Sequence, residues 1–339
     1  MTHTRLHFLC LCLALAVTSM PATGQDADLL RRALAGEADA QSELGYLYVS
    51  GNGGRQNLPL ALNWLSQAAQ QGDAPAQYNL GMMHALGHGT PEDMTEAARW
   101  YQAAATQGHT DAQYSLGQLY DTGDGVKRDQ TEAVRWYTLA ADQGHAAAQS
   151  DLAVMYKYGN GVRQNYQEAL RRFRIAADQG FAVGQFNLGV MYRNGTGTDR
   201  DFTQAAHWYR QAAQQGHMSA QYHLATLLLR GDGIDADYAE AALWFRHAAT
   251  QGLADAQYEL GLMSGHGAGV AQNLERAYMW LDLAAKGASN ARRGRTLRTR
   301  DEFAAHMSYD QLNRARQAVE TCLASFYQVC DPDADPARR

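Results

Sequence analysis

The chain has 339 residues, 46% of them hydrophobic and 19% charged, which excludes a wholly disordered polymer and a membrane protein of many spans. Its formal charge of -6, with only 3 lysines among 29 basic residues, provides no basic field for nucleic acid. Glycine is abundant at 32 while proline is scarce at 6, so the glycines need a structural reason.

At the N-terminus, residues 6–17 form an apolar stretch behind Arg5, shorter than the ~20 residues that cross a bilayer. Ala22, Thr23 and Gly24 follow, with the small side chains that a signal peptidase reads. Residues 1–24 are therefore expected to be a signal peptide, and the mature chain to start at Gln25. Cys10 and Cys12 lie inside the apolar stretch and not in a lipoprotein-type box. The expected product is periplasmic or secreted, with no stable membrane anchor after cleavage; the alternative is an uncleaved N-terminal anchor. Residues 25–35 read as a short helix covering whatever follows.

From there a period takes over. Gly36, Gly72, Gly108, Gly144, Gly180, Gly216 and Gly252 are spaced by 36. Counting each of these glycines as step zero, step five is glutamine in all seven copies, from Gln41 to Gln257, and step eight is leucine, from Leu44 to Leu260. The six tryptophans, Trp64, Trp100, Trp136, Trp208, Trp244 and Trp280, share one register, where the fourth copy has Arg172. Such a period is the mark of a repeat architecture.

Each copy reads as two helices. In the first, steps four, eight, eleven and twelve recur at helical spacing and make one apolar stripe. A G-x-G such as Gly123-Asp124-Gly125 then permits the positive φ that turns the chain. Asp or Asn stands at step twenty-one in every copy, and Glu96, Glu132, Glu168, Gln204 and Glu240 follow three residues later, which predicts a capping box in five of the seven. The second helix carries an alanine, the tryptophan and an Ala-Ala pair, and stops at the next glycine. One such pair buries too little surface alone, so the stripes must be covered by neighbouring copies in an α-solenoid.

The A-Q-x-x-L-G-x-x-Y, G-x-G-V, E-A-x-x-W-Y and A-A-x-Q-G elements, seen in full between Asp111 and Gly144, resemble Sel1-like repeats, relatives of the tetratricopeptide repeats. The resemblance covers residues 36–286 and implies an all-α, right-handed α-solenoid of seven 36-residue helix-turn-helix repeats with N- and C-terminal capping helices. It also implies an adaptor or scaffold, in bacteria often exported and linked to envelope signalling, secretion or host contact. Arg172, Leu228 and Ser264 depart from the family's aromatic pattern.

Residues 287–330 read as C-terminal capping helices, the second opened by a capping box at Ser308-Tyr309-Asp310-Gln311, and residues 331–339 as a flexible tail. Cys322 and Cys330 are the cysteines outside the leader; in an oxidising compartment they either form a disulfide or remain two thiols. Five arginines from Arg292 to Arg300 have no intervening acid. They either attract an anionic surface or form a solvated cap neutralised by acids such as Asp301 and Glu302.

No catalytic motif emerges. The G-x-G turns follow no strand and precede no G-K-S/T, so they are not phosphate loops. His84 and His88 are four apart, but His88 falls in a turn and no H-E-x-x-H is formed, while His109, His145 and His217 occupy step one of successive copies, too far apart to share a metal ion. The expectation is neither metal nor cofactor, with the three step-one histidines as turn residues. Some relatives of the resembled family act on β-lactams or the cell wall. The S-x-x-K such a serine enzyme needs is absent, because Asp124, Val154 and Leu283 precede the three lysines.

What remains is the face of the first helices opposite the apolar stripe. Step six carries Tyr78, Tyr114, Phe186, Tyr222 and Tyr258, and step ten includes Tyr46 and Met82. By analogy with tetratricopeptide solenoids this face lines a concave groove, with Asp39, Asp111, Asp121 and Asp255 beside it and Lys157, Arg193 and Arg230 farther along, so the groove is expected to be acidic early and basic later. The expectation is a monomeric, non-enzymatic adaptor holding a protein or peptide partner there. The open alternatives are that step six merely packs at the edge of the core, and that the protein is a cell-wall enzyme or binder.

Overall fold

The computed structural model describes residues 24–51, 56–327 and 329–330. The leader, but for Gly24, and the tail at 331–339 lie outside them. The described residues form seventeen helices and no strand. After α1 (Gly24–Leu34) come α2 (Ala38–Ser50) with α3 (Leu58–Gln70), α4 (Ala74–Leu86) with α5 (Met94–Thr106), α6 (Thr110–Thr122) with α7 (Gln130–Asp142), and α8 (Ala146–Tyr158) with α9 (Tyr166–Asp178). They continue with α10 (Ala182–Asn194) and α11 (Phe202–Gln214), α12 (Met218–Arg230) and α13 (Tyr238–Thr250), and α14 (Ala254–His266) and α15 (Leu274–Gly287). Two further helices, α16 (Asn290–Ala304) and α17 (Tyr309–Ala324), close the chain. The fold is an all-α solenoid, and its chain divides into two compact units, Met1–Gln164 and Asn165–Arg339. Within each unit successive helices pack on one another, except that the last, α17, packs on α15.

The first, or A, helix of each pair ends on a glycine that the left-handed region favours: Gly123 has φ 87° and gives its N–H to Leu119 O. Two residues on, Gly125 stands at φ 70° so close to the preceding repeat that a Cβ would run into the Met94 carbonyl. The turn thus seats each pair on the start of the previous second, or B, helix.

The B helices are capped as their sequence requires, with one correction. The Asp129 side chain accepts from the Thr131 and Glu132 N–H groups, and Asn57, Asp93, Asn165, Asp201, Asp237 and Asn273 cap their helices in the same way. The reciprocal half of the predicted capping box is not made. The Asp129 N–H donates instead to Tyr120 O, at 2.9 Å, on the preceding A helix, and the Asp93 and Asp201 N–H groups do likewise. With that donor taken, the glutamate at step twenty-four turns to an arginine one turn on, as in Glu96–Arg99 and Glu132–Arg135. A complete box is formed at Ser308 and Gln311, where the Ser308 N–H donates to the Gln311 side chain.

The core is built by small residues. Ala112, Ala133 and Ala140 are wholly buried, and a Cβ on Gly117 would stand 2.7 Å from the Tyr137 ring. Trp136 is 1% exposed and packs with Tyr101, Ala104 and Leu116, in the gap between two repeats. Arg172, at the tryptophan register, is also buried and donates from Nε to Glu168 at 2.7 Å.

The glutamine at step five is buried in all seven copies, and its role was not evident from sequence. Gln113 Nε2 donates to Ala105 O on the preceding B helix, and its Oε1 accepts from Gln143 at the end of its own repeat. Gln77, Gln185 and Gln221 repeat both bonds. At the N-terminus α1 takes the place of a B helix, since Gln41 donates to Ala33 O.

At the other end α16 and α17 pack on α15. The arginines of α16 turn toward acids: Arg292 pairs with Asp255, and Arg300 with Asp282 and Asp301. Cys322 and Cys330 are joined by a disulfide.

Candidate functional site: the A-helix face

Periodicity carries the step-six rings to one side of the A helices, where they are half-buried and not free. Three of the five lean on an aromatic of their own B helix and stack on the histidine that opens the next repeat, while Tyr222 leans on Phe245 with no such histidine. Tyr78 meets Tyr101 and His109, Tyr114 meets Tyr137 and His145, and Phe186 meets Tyr209 and His217. One side of each of these three rings packs inward, and the other borders the surface. Of the step-ten residues, Tyr46 is 50% exposed and Met82 is half-buried.

The stacked histidines do more than turn the chain. In each, Nδ1 accepts from the backbone N–H three residues on, at 3.3, 3.1 and 3.2 Å for His109, His145 and His217, capping α6, α8 and α12. Asp73 performs the same task for α4, which was the sequence signal for a cap at this register.

Two clefts open on this face, one in each unit. In the first, about 210 Å³ is bounded by Gln118, Asp121, Tyr137, Asp151 and Val154. Tyr114 donates from its hydroxyl to Asp151 Oδ2 at 3.0 Å and accepts from Gln118 Nε2 at 2.9 Å. Gln130 Nε2 donates to Asp121 Oδ1 at 3.1 Å. Burial holds the Asp151 carboxyl above the usual carboxylate range; the Tyr114 hydrogen bond draws it back, and the Asp121 charge pushes it up further.

At the same register of the second unit Arg193 replaces Asp121, His223 replaces Asp151 and Tyr209 replaces Tyr137. Arg193 donates to His223 Nδ1 at 3.0 Å. Burial, with the Arg193 and His217 charges behind it, lowers the His223 pKa to about 4, so the ring is neutral at pH 7. This register thus carries two acids in the first unit and a guanidinium beside a neutral imidazole in the second, where Asp255 and Glu259 follow farther along the chain.

The second cleft, about 230 Å³, lies in the second unit among Tyr222, Tyr258, Asp255, Glu259, Arg292 and Arg295. It brings two of the predicted strip residues together with charges of both signs. Burial pushes the Glu259 carboxyl up, while Arg230 opposes and Asp255 reinforces the shift. Asp151, His223 and Glu259 all stand at step seven, which the helical projection did not single out. That step is polar in every copy, as Glu43, Asn79, Ser115, Asp151, Asn187, His223 and Glu259, and this was the available signal. Among the described residues no group of three or more His, Cys, Asp or Glu is placed to hold a metal ion.

The Sel1 repeat model matches this chain seven times, at residues 38–73, 74–109, 110–145, 146–181, 182–217, 219–253 and 254–289. The chain belongs to the Sel1 repeat family. Sel1-repeat proteins are generally scaffolds for protein–protein interaction. Among solved structures, a Sel1 repeat protein from Oxalobacter formigenes is similar at 35% identity, over 83% of this chain and 82% of that one, with a TM-score of 0.68. The protein c5321, a protective antigen present in uropathogenic Escherichia coli strains and displaying an SLR fold, is 26% identical over 89% of this chain and 95% of that one, with a TM-score of 0.45. A search of curated proteins gave no match.

Proposed function

We propose that this Sel1-repeat protein is an exported, non-enzymatic adaptor that holds a protein or peptide partner against its A-helix face, in envelope signalling, secretion or host contact. The observation that carries the reading is the pairing of half-buried rings with clefts whose polar groups are only partly engaged, at Tyr114, Asp121 and Asp151 and again at Tyr222, Tyr258 and Glu259. Rigid aromatic walls with polar groups between them suit an extended peptide. The N-terminal apolar stretch supports export to the periplasm or medium, as a monomer.

The test is capture of partners from a native envelope extract by the purified full chain and by a Tyr46→Ala/Met82→Ala variant. Loss of capture with an unchanged melting temperature supports the reading. Retention on peptidoglycan sacculi, or turnover of a chromogenic β-lactam, would replace it with the cell-wall alternative. N-terminal sequencing of the mature protein from a periplasmic fraction checks export.

A further inference from the structure

We propose that the cleft bounded by Asp121, Tyr137 and Asp151 receives a basic side chain, arginine or lysine, from the bound partner. The inference rests on the A-helix face being the binding surface and names what its first cleft selects.

Two carboxylates meet there without a cation. Among the described residues neither Asp121 nor Asp151 forms an ion pair, and Asp121 Oδ2 and Asp151 Oδ1 accept no hydrogen bond. Leaving a partly buried carboxylate in this condition is unfavourable, and a cation placed between the two relieves both desolvation and mutual repulsion. The independent observation is Tyr137. Its side chain is 2% exposed and borders the cleft, yet its hydroxyl has no hydrogen-bond partner among the described residues. Unlike the Tyr209 hydroxyl it is not sealed in, so it is available to a group that enters the cleft. Guanidinium and ammonium groups carry several donors and no acceptor, which matches a site of free acceptor oxygens; the hydroxyl can turn its own lone pair toward the same cation. Val154 and Met155 line the remaining wall and suit the methylene stem of such a side chain.

The second unit contains an internal contrast. At the corresponding positions Arg193 and the neutral His223 stand beside Tyr209, so a guanidinium of the chain itself already occupies that register. Selection for a basic group is thus assigned to the first cleft and not to its counterpart.

Fluorescent nonapeptide pools with a fixed central Arg, Lys, Leu or Glu and randomised flanks, titrated against the full chain and followed by anisotropy, test the assignment. The Arg and Lys pools are expected to bind about tenfold tighter than the Leu and Glu pools. Asp121→Asn/Asp151→Asn should bring the four pools to within about twofold without changing the melting temperature, Tyr137→Phe should weaken the preference, and Arg193→Ala should leave it intact. A basic preference that survives Asp121→Asn/Asp151→Asn overturns the assignment and points to the overall negative charge. Equal binding of all four pools, lost in Tyr46→Ala/Met82→Ala, overturns it while leaving the A-helix face as the binding surface. Binding by none of the pools removes support for both.

Discussion

The Gln143 side-chain amide donates to Gln113 Oε1 at 2.7 Å, and Gln113 in turn donates to the Ala105 carbonyl of the previous repeat at 3.1 Å. One buried side chain therefore fastens its own helix pair and the pair before it. Replacing Gln113 with Leu removes both bonds at a site that is 4% exposed. The expected cost is about 1–3 kcal/mol, because the Ala105 carbonyl keeps its bond from the Gly108 N–H and Gln143 can turn to water. Urea unfolding of the variant checks this; an unchanged midpoint would show that the ladder is decorative.

Gly189 and Tyr209 give a second prediction. A Cβ at Gly189 would lie 2.7 Å from the Tyr209 ring, so Gly189→Ala should destabilise by roughly 1–3 kcal/mol through overpacking. The Tyr209 hydroxyl is enclosed without a partner, so Tyr209→Phe should be neutral or mildly stabilising. In the next repeat the chain already places Ala225 and Phe245 at these two registers. The double variant Gly189→Ala/Tyr209→Phe is accordingly expected to lose less than the two single changes added together. Strict additivity in a thermal-unfolding cycle would refute the coupling.

Trp136→Ala empties a site that touches two repeats and should cost about 3–5 kcal/mol. A loss below about 1 kcal/mol in the same unfolding experiment would contradict its packing role.

The histidines of the A-helix face make stability fall in acid. Burial is the leading cause that lowers the pKa of His145, His217 and His223, the last to about 4. Their folded values lie below the unfolded value of ~6.5, so the native state binds fewer protons in that interval. The stability they provide is complete above pH ~6.5 and is lost as the pH falls toward the folded values, through about 4 for His223. Urea midpoints at pH 7.5 and 4.5 should differ, and less so in His223→Gln. An identical drop in that variant would place the acid sensitivity elsewhere.

Much of this fold can be read directly from the chain. The glycine period, the Asp or Asn caps and the alanine stripes are local or strictly repeated, and the structure places all of them in the expected helices. What sequence did not disclose depends on which groups the packing brings side by side, within a repeat or between repeats. The capping box was half wrong because Tyr120 O competes for the Asp129 N–H. The glutamine ladder joins residues 30 apart, and the acidic cleft arises from Asp121 and Asp151 in different repeats. The position of Asp151 also varies from copy to copy, so a consensus conceals it. The disulfide pairing of Cys322 with Cys330 and the Arg292–Asp255 pair likewise become definite only in three dimensions.

The bond from Gln41 to Ala33 has a consequence for how such a chain changes length. A helix that is not a repeat presents the same carbonyl, to the same amide, as every B helix presents to its successor. Removing residues 109–144 would bring Ala105 to Gln149 with the donor and acceptor unchanged. Unequal recombination between copies would therefore cut and rejoin the gene at chemically equivalent seams. Copy number can drift while the joints stay intact, and selection is left free to work on side chains such as Asp151 and His223, which differ between otherwise interchangeable copies.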